Sequence, residues 1–244
     1  MSFRVVIPTA GTGSRLGLIT KHLNKSLVSV GHRPTLSHQI EMFPADCEFV
    51  IALGHKGSLV RQFLELAYPQ RQFYFVEVVP FEGPGSGLGY SLSCCAKYLQ
   101  QPFVFLSCDT LVTERIPGPN EDWMGYANIA DCNQYRTLEV GESSKVEAIL
   151  EKGAVSSGAR YPYIGLAGVF NHTLFWESML SGGASAVDQG ESFGLRNLMT
   201  HSPIRARQFS WYDTGTLVAL QVTRERYRQA NEPNILDKEG GLKN

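Results

Sequence analysis

The feature that most constrains the fold of this chain is a glycine-rich turn that directly follows an apolar segment near the amino terminus. Residues 3–10 read FRVVIPTA, a run with β-branched residues that is typical of a buried strand, and residues 11–16 read GTGSRL. Glycines let the backbone approach a ligand closely and adopt positive φ, so the N–H groups of such a turn can hold phosphate oxygens. Arg15 and Lys25 add two positive charges nearby. The turn therefore predicts a binding site for a polyphosphate, such as that of a nucleoside triphosphate.

Composition and charge exclude several other classes of protein. Hydrophobic residues make up 43% of the 244 residues and charged residues 18%, which is typical of a folded chain and excludes a disordered one. The net charge of −1 provides no global basic field for nucleic acid or an anionic membrane. The five cysteines form no CxxC pair, which favours reduced thiols over disulfides or a zinc site. No apolar run approaches the roughly 20 residues that span a bilayer, and we expect a cytoplasmic protein that binds neither nucleic acid nor membrane.

Strand signals alternate with helix signals through the first half of the sequence. The predicted strands are 3–9, 47–53, 72–79 and 102–108, and the predicted helices are 35–43, a segment with Ser58 as its N-cap, and 88–99. This βαβαβαβ order predicts a mainly parallel sheet with helices on both faces. Ligands bind such sheets at the carboxyl ends of the strands, where both the turn at Gly11 and Asp109 are expected.

The second half is less regular. The predicted strands are 135–140, 145–149, 163–170 and 204–210, and the predicted helices are 173–180, 191–199 and 216–230. Residues 181–190 are predicted to form a flexible polar connection, because they are small, polar and rich in glycine. Since no internal repeat or long linker divides the sequence, we expect one domain over residues 1–244.

The order of motifs narrows the interpretation beyond a phosphate-binding turn. A Gly-x-Gly turn alone is a weak signal, and here neither a Walker loop nor a dinucleotide fingerprint is complete. The order Gly-x-Gly-Ser-Arg-Leu, followed by Asn24-Lys25-Ser26, resembles the signature of the sugar-phosphate nucleotidyltransferases, the pyrophosphorylase family. This resemblance implies that Arg15 and Lys25 hold the triphosphate and neutralise the pyrophosphate that leaves. Asn24 departs from the family pattern, which usually has proline before the lysine, and this leaves the rigidity of the loop open.

Five further segments resemble the family in the same order along the chain: 83–89, 108–110, 149–153, 163–168 and 211–216. Together they imply a three-layer α/β/α, Rossmann-like fold of the glycosyltransferase-A type with a mixed, mainly parallel sheet. In that fold, residues 1–112 form the nucleotide-binding half and residues 113–244 the acceptor-binding half. The implied nucleotide-binding residues are Ala10, Gly11, Thr12, Gly13, Ser14, Ser86 and Gly87, the implied Mg²⁺ ligands are Asp109 and Asp213, and the implied acceptor-binding residues are Glu151, Lys152 and Gly168. In relatives, a turn corresponding to Gly54-His55-Lys56 can also touch the active site.

The chemistry of nucleotidyl transfer independently supports the two aspartates. The reaction moves an α-phosphoryl group between two oxygens, so the protein mainly positions groups and neutralises charge. Mg²⁺ held by one or two carboxylates and by substrate phosphates suits this task. Asp109 and Asp213 are candidates, although they are about 100 residues apart and the fold must bring them together. The acceptor phosphate is already anionic, so the absence of a catalytic histidine is consistent with this chemistry.

The resemblance implies transfer of a nucleotidyl group from an NTP, with CTP or UTP favoured, to a sugar 1-phosphate or a small alcohol phosphate such as a choline or glycerol compound. The sequence of residues 211–215 and 233–238 most resembles family members that make capsule and cell-surface precursors. Some of these members are fused to a kinase-like domain or form homo-oligomers. Two alternatives stay open. A glycosyltransferase of the same fold would carry an Asp-x-Asp motif, which Cys108-Asp109-Thr110 lacks, and a non-catalytic nucleotide-sensing subunit would lack the two cations or the two aspartates.

Overall fold

A computed structural model describes residues 3–154 and 158–231 of the chain. The segment 233–238, used above for the likeness to cell-surface enzymes, lies outside these residues. The strands are β1 (Arg4–Pro8), β2 (Ser29–Val30), β3 (Arg33–Pro34), β4 (Glu48–Leu53), β5 (Phe73–Glu77), β6 (Phe103–Leu106), β7 (Thr110–Val112), β8 (Trp123–Tyr126), β9 (Thr137–Val140), β10 (Val146–Leu150), β11 (Arg160–Val169), β12 (Arg205–Gln208) and β13 (Trp211–Asp213). The helices are α1 (Thr35–Glu41), α2 (Gly57–Ala67), α3 (Leu88–Cys95), α4 (His172–Ser181), α5 (Gly183–Gln189), α6 (Glu191–Met199) and α7 (Leu217–Asn231).

The main sheet has the order β10-β9-β11-β6-β1-β4-β5, with β8 and β12 joined to it beside β11. The strands β6, β1, β4 and β5 are parallel, whereas β11 runs antiparallel to β6, β8 and β9. The first half therefore supplies the four-stranded parallel part of the sheet, and the second half adds antiparallel strands together with β12, which is parallel to β8. This arrangement, with helices packed on it, confirms the predicted mixed, mainly parallel α/β fold.

Alternation along the buried strands divides the core into two layers. In β1, Val5 and Ile7 belong to one apolar cluster, while Val6 belongs to the other. The first cluster includes Leu36 of α1 and Leu64 of α2, and the second includes Leu92 of α3 and further residues of α4 and α6. Successive side chains of a strand point to opposite faces, so helices cover both faces of the sheet, as the βαβ order predicted. All five cysteines are free thiols.

The prediction of a flexible connection over 181–190 is wrong, because residues Gly183–Gln189 form α5. This helix packs closely against α3. A Cβ on Gly87 would lie 2.7 Å from the carbonyl oxygen of Val187, and a Cβ on Gly89 would lie within 2 Å of that of Ala186. The small residues that suggested flexibility are those that permit a close approach of two backbones.

Two other local predictions need correction. The second helix begins at Gly57 and follows Lys56, which has φ 52°, so Ser58 is not its N-cap. The short strands β7, β8 and β13 were not predicted, because runs of three or four residues give little periodic signal. The pairing of β7 with β13 is the more important omission, since it positions the site described next.

Candidate active site

The glycine-rich turn leaves the carboxyl end of β1 and is held against β4. Thr9 donates hydrogen bonds from its N–H (3.0 Å) and from its hydroxyl (2.7 Å) to the carbonyl of Ala52. Gly13 has φ 66°, and a Cβ there would lie 2.9 Å from the side chain of Thr20 and 3.0 Å from that of Lys25. Position 13 therefore requires glycine both for its conformation and for space. A 3₁₀ helix over Ser14–Lys21 follows, and the side chain of Arg15 on it is 60% exposed.

Asn24, the departure from the family pattern, fixes the loop through its side chain. Its amide nitrogen donates to the carbonyls of Thr9 (2.8 Å) and His55 (2.6 Å). Its Oδ1 accepts hydrogen bonds from the N–H (2.9 Å) and the hydroxyl (2.8 Å) of Ser26. The residue is fully buried, and its φ of −69° is one that proline also adopts. Two of these hydrogen bonds thus tie the loop to the ends of β1 and β4, and the other two fix the turn at Ser26, at the position where the family pattern has proline.

His55 supports the same loop from the other side. Its Nε2 donates to the carbonyl of Thr20 across 2.7 Å, and its backbone N–H donates to Ala10 across 2.9 Å. The imidazole ring also contacts the edge of Phe81, with 6.3 Å between ring centroids. His55 therefore packs against the site loop and contributes to its position.

Asp109 and Asp213 meet where β7 and β13 pair. The two strands are antiparallel, with Asp213 opposite Thr110, and the N–H of Thr214 donates to the carbonyl of Asp109 across 2.9 Å. A Cβ on Gly215 would lie 2.9 Å from Oδ2 of Asp109 and 3.1 Å from Oδ1 of Asp213. The two carboxylates therefore border one small space, which the glycine keeps free. The convergence that a metal site requires is present.

Two cations stand beside Asp109. The Lys25 ammonium donates to Oδ2 across 3.1 Å, and a guanidinium nitrogen of Arg15 lies 4.0 Å from the same oxygen. Burial alone would raise the pKa of Asp109, but the charge of Lys25 and a hydrogen bond from Ser107 (2.5 Å) lower it to about 2. Burial alone would likewise lower the pKa of Lys25, but Asp109 raises it above its usual value. Both groups are therefore charged at neutral pH.

Asp213 is in a different electrostatic environment. Its Oδ1 accepts the N–H of Gly215 (2.8 Å) and its Oδ2 accepts the hydroxyl of Tyr135 (2.9 Å). Burial raises the pKa of Asp213, and the neighbouring charge of Asp109 adds to the rise against those two hydrogen bonds. Burial and Asp213 together raise the pKa of Tyr135, so its hydroxyl stays a donor. Tyr135 carries no motif signal and was not predicted; it connects the loop before β9 to the carboxylate pair.

The donor set fits a hard divalent cation that is shared with substrate phosphates. Both groups are carboxylates, and Mg²⁺ in proteins takes one or two carboxylates together with phosphate oxygens and waters. The space beside Gly215 is bordered by one oxygen from each carboxylate. Within residues 3–154 and 158–231, no group of three or more His, Cys, Asp or Glu side chains is placed to hold a metal. The residues therefore suit Mg²⁺ with a nucleotide, and they do not form a site closed by protein ligands.

A cleft of about 480 Å³ opens between the glycine-rich turn and the start of α3. It is lined by Pro8, Ala10, Gly11, Thr12, Arg15, Lys25, Phe81, Glu82, Gly83, Ser86, Gly87, Leu88, Ser91, Ser107 and Asp109. The structure thus brings five of the seven predicted nucleotide-binding residues to one cavity with both predicted cations. Gly13 and Ser14 are not part of this lining. The close packing of α5 also requires glycine at position 87. The contact of Gly87 with a nucleobase stays a prediction.

The predicted acceptor-binding residues Glu151 and Lys152 directly follow β10. The Glu151 carboxylate lies between two guanidinium groups: Nε of Arg136 is 3.2 Å from both of its oxygens, and Arg196 donates to Oε1. Burial would raise the pKa of Glu151, but hydrogen bonds from Arg196 and Arg136 lower it. Lys152 is exposed. The two arginines carry no motif signal and were not predicted.

Gly168, the third predicted acceptor residue, lies inside β11. A Cβ there would come within 2.5 Å of the indole ring of Trp123, so core packing accounts for the glycine, and its role in binding stays a prediction. Gly165 lies nearer the site. Its φ is 68°, a Cβ there would lie 2.7 Å from the side chain of Ser107, and its carbonyl accepts the Ser107 N–H across 2.7 Å. Gly165 therefore supports the turn that presents Asp109.

A buried polar pair lies behind the acceptor side. Glu191, at the start of α6, is 3% exposed, and Tyr163 of β11 is 6% exposed. Within the described residues, Oε2 of Glu191 and the hydroxyl of Tyr163 have no hydrogen-bond partner of good geometry. Burial raises the pKa of Glu191 to about 6, against the charge of Arg136, and Asp109 is close enough to add to the rise. This pair is a further feature that the sequence analysis missed.

Comparison with known proteins agrees with this geometry. Residues 5–116, slightly under half of the chain, match the model of the MobA-like NTP transferase domain. A curated relative, the bifunctional protein GlmU of Methanococcus vannielii, is 24% identical over 152 residues; the match covers 60% of this chain and 34% of the relative. The chain thus matches only about a third of the length of that relative.

Several solved structures share the fold over almost their whole length. UDP-glucose pyrophosphorylase in complex with UDP-glucose has a TM-score of 0.77 at 19% identity, covering 95% of this chain and all of the other. CTP:phosphocholine cytidylyltransferase from Streptococcus pneumoniae has a TM-score of 0.71 at 18% identity, covering 93% and 99%. These structural matches confirm the predicted fold, and the match of residues 5–116 to an NTP transferase model supports the predicted nucleotidyltransferase class. None of the helices in the described part of the chain is both long and apolar enough to cross a bilayer.

Proposed function

We propose that this chain, whose residues 5–116 form a MobA-like NTP transferase domain, transfers a nucleotidyl group from an NTP to a phosphorylated acceptor and releases pyrophosphate. The observation that carries the proposal is the convergence of Asp109 and Asp213 beside Lys25 and Arg15. A non-catalytic protein that only senses a nucleotide would not need these two carboxylates and two cations together. The preferred nucleotides are CTP and UTP, and the acceptor is a sugar 1-phosphate or a small alcohol phosphate, in the synthesis of cell-surface precursors.

In the proposed reaction, an oxygen of the acceptor phosphate attacks the α-phosphorus of the NTP in line. The bond from that phosphorus to the bridging oxygen breaks, and its electron pair leaves with pyrophosphate. Arg15 and Lys25 neutralise the charge that accumulates on the β- and γ-phosphates. Asp109 and Asp213 would hold Mg²⁺, which when bound withdraws charge from the phosphate oxygens. No general base is needed, because the attacking phosphate carries no proton that must be removed.

The two halves of the chain supply different parts of the proposed site. The residues that line the cleft, Pro8 to Asp109, all come from the predicted nucleotide-binding half, 1–112. The segment Glu151-Lys152 and the arginines around it come from the half 113–244. The pairing of β13 with β7 joins the two halves by placing Asp213 beside Asp109, and Tyr135 of the second half donates a hydrogen bond to Asp213. This layout supports a single domain in which the acceptor phosphate approaches the carboxylate pair from the side of β9 and β10.

The test is a matrix of five nucleoside triphosphates against sugar 1-phosphates, phosphocholine and glycerol phosphates, with Mg²⁺ and a pyrophosphate-release readout. We expect release with CTP or UTP and one acceptor class. Absence of pyrophosphate from every pair would overturn the proposal. Release of a nucleoside diphosphate when an NDP-sugar transfers its sugar to an acceptor would instead favour the glycosyltransferase alternative.

Two variants assign the reaction to the carboxylate pair. Asp109→Asn and Asp213→Asn each should lower kcat by at least about a hundredfold, because each removes a negative charge at the point where phosphate charge must be balanced. Asp46→Asn is the matched control, since Asp46 is exposed and precedes β4, at the opposite edge of the sheet. Near-normal turnover in either site variant, with melting temperatures unchanged, would remove that residue from the site.

A further inference from the structure

The carboxylate of Glu151 is enclosed by two guanidinium groups from different parts of the fold. Arg136 lies just before β9 and meets both carboxylate oxygens at 3.2 Å. Arg196 comes from α6, and its Nη2 donates both to Oε1 of Glu151 and to the carbonyl of Ile149 (3.2 Å). Its Nε also donates to the Ile149 carbonyl (3.4 Å), and its Nη1 donates to Gln189. Arg196 is therefore held in place by the backbone of β10 whether or not Glu151 is present.

The three side chains are open to a ligand. The exposed fraction is 52% for Glu151, 19% for Arg136 and 29% for Arg196. The residue before Arg136 is Tyr135, whose hydroxyl donates to Asp213. Arg136 thus directly follows the residue that contacts Asp213, one of the two carboxylates at which the reaction is proposed.

Two guanidinium groups that donate to the same carboxylate can also bind another anion with several acceptor oxygens. Arginine binds carboxylate and phosphate in the same bidentate manner, and phosphate offers more oxygens and more charge. Exposed carboxylate–arginine pairs contribute little net free energy, so a dianionic phosphate can displace Glu151. The cluster without Glu151 would place two positive charges beside the site.

We propose that Arg136 and Arg196 are the clamp for the acceptor phosphate, and that Glu151 occupies the place of that phosphate in the free protein. This inference rests on the proposed function for the identity of the ligand. It differs from the role implied by the family resemblance, in which Lys152 binds the phosphate and the glutamate meets acceptor hydroxyls. Acceptor binding then requires Glu151 to turn away, which frees both guanidinium groups at the moment the phosphate arrives.

The test uses inorganic phosphate as the probe, because it has the charge of the acceptor phosphate and no hydroxyl-bearing group for Glu151 to contact. We expect Glu151→Gln to bind phosphate roughly three- to tenfold more tightly than the wild type, measured by calorimetry or ³¹P NMR, since a competing charge is removed. Glu147→Gln is the matched control: Glu147 lies on β10, is 49% exposed and pairs with Lys145 at 3.4 Å. Its phosphate affinity should stay within about twofold of wild type.

Two further measurements locate the bound phosphate. In Glu151→Gln, the conservative changes Arg136→Lys and Arg196→Lys should each reverse the gain, because lysine lacks the bidentate fork. In turnover assays, phosphate should compete with the acceptor and not with the NTP. Equal phosphate affinity in Glu151→Gln and wild type, or competition with the NTP alone, would overturn the clamp.

These readouts separate the clamp from the proposed function. If no NTP and acceptor pair releases pyrophosphate but Glu151→Gln binds phosphate more tightly, the function fails and the clamp stands. If turnover is observed and phosphate affinity does not respond to Glu151, the function stands and the clamp fails.

Discussion

The most direct test of the site architecture is the replacement of Asn24 by alanine. This change removes four hydrogen bonds from a fully buried position: two that the amide donates to the carbonyls of Thr9 and His55, and two that it accepts from Ser26. The net contribution of one such bond is about 1 kcal/mol, and a buried group left without a partner costs about 1–3 kcal/mol. The Ser26 hydroxyl can rotate to another acceptor, but its N–H and the two carbonyls are fixed. We therefore expect the free energy of unfolding to fall by about 3–4 kcal/mol, a large share of the roughly 5–15 kcal/mol that holds a typical domain folded.

The assay is urea denaturation of Asn24→Ala beside wild type, with Asn120→Ala as the control because Asn120 is exposed. Asn24→Pro should recover part of the loss, at most about 1 kcal/mol, since its φ already suits proline and the unfolded chain loses freedom. Because Lys25 follows directly, both variants should also raise the KM for the NTP. A loss below about 1 kcal/mol in Asn24→Ala would refute the four-bond account.

The remaining predictions concern the carboxylates and cations of the site. Gly215→Ala should lower kcat at least about tenfold at unchanged melting temperature, because the new Cβ would lie 2.9 Å from Oδ2 of Asp109 and 3.1 Å from Oδ1 of Asp213. Normal turnover in this variant would show that the space beside Gly215 is not used. Lys25→Met should raise the KM for the NTP more than that for the acceptor in steady-state assays, and the reverse would reassign the lysine. Burial raises the pKa of Glu191 from 4.5 to about 6, so the folded state binds this proton more tightly than the unfolded state does. The contribution of Glu191 to the free energy of unfolding is therefore greatest below pH 4.5 and is lost as the pH rises through 6. The difference in unfolding free energy between Glu191→Gln and wild type should therefore change by about 2 kcal/mol across this window in urea titrations, and a constant difference would contradict the raised pKa.

The sequence predicted the parallel half of the fold well for a physical reason. Strands buried on both faces need continuous apolar runs, and those at β1, β4 and β6 stand out against the turns that end them. The glycine-rich turn was equally visible, because the glycine required at position 13 and the cation Arg15 stand among consecutive residues. Its binding of phosphate stays a prediction.

Other parts depended on contacts that no local pattern records. The backbone of α5 can pack closely because Gly89 of α3 and Gly87, the residue before α3, leave room for it, and that room is visible only in three dimensions. Asp109 and Asp213 were predicted individually, but their meeting depends on two strands of three residues each, β7 and β13, which are too short to show periodicity.

The residues around Glu151 were the part of the candidate site that local sequence patterns predicted least well. Arg136 and Arg196 are ordinary charged residues in sequence, separated by three strands and two helices, and only the fold brings both of them to Glu151. Under the proposed function, the triphosphate is bound mainly by the glycine-rich turn and the cations near it, whereas the acceptor is bound by side chains gathered from distant segments. It follows that relatives with the same Gly-x-Gly-Ser-Arg-Leu turn can differ in acceptor without any change near it. Exchange of the residues at positions 136, 151 and 196 should consequently alter the KM for the acceptor and leave that for the NTP unchanged, which steady-state kinetics with both substrates varied would measure.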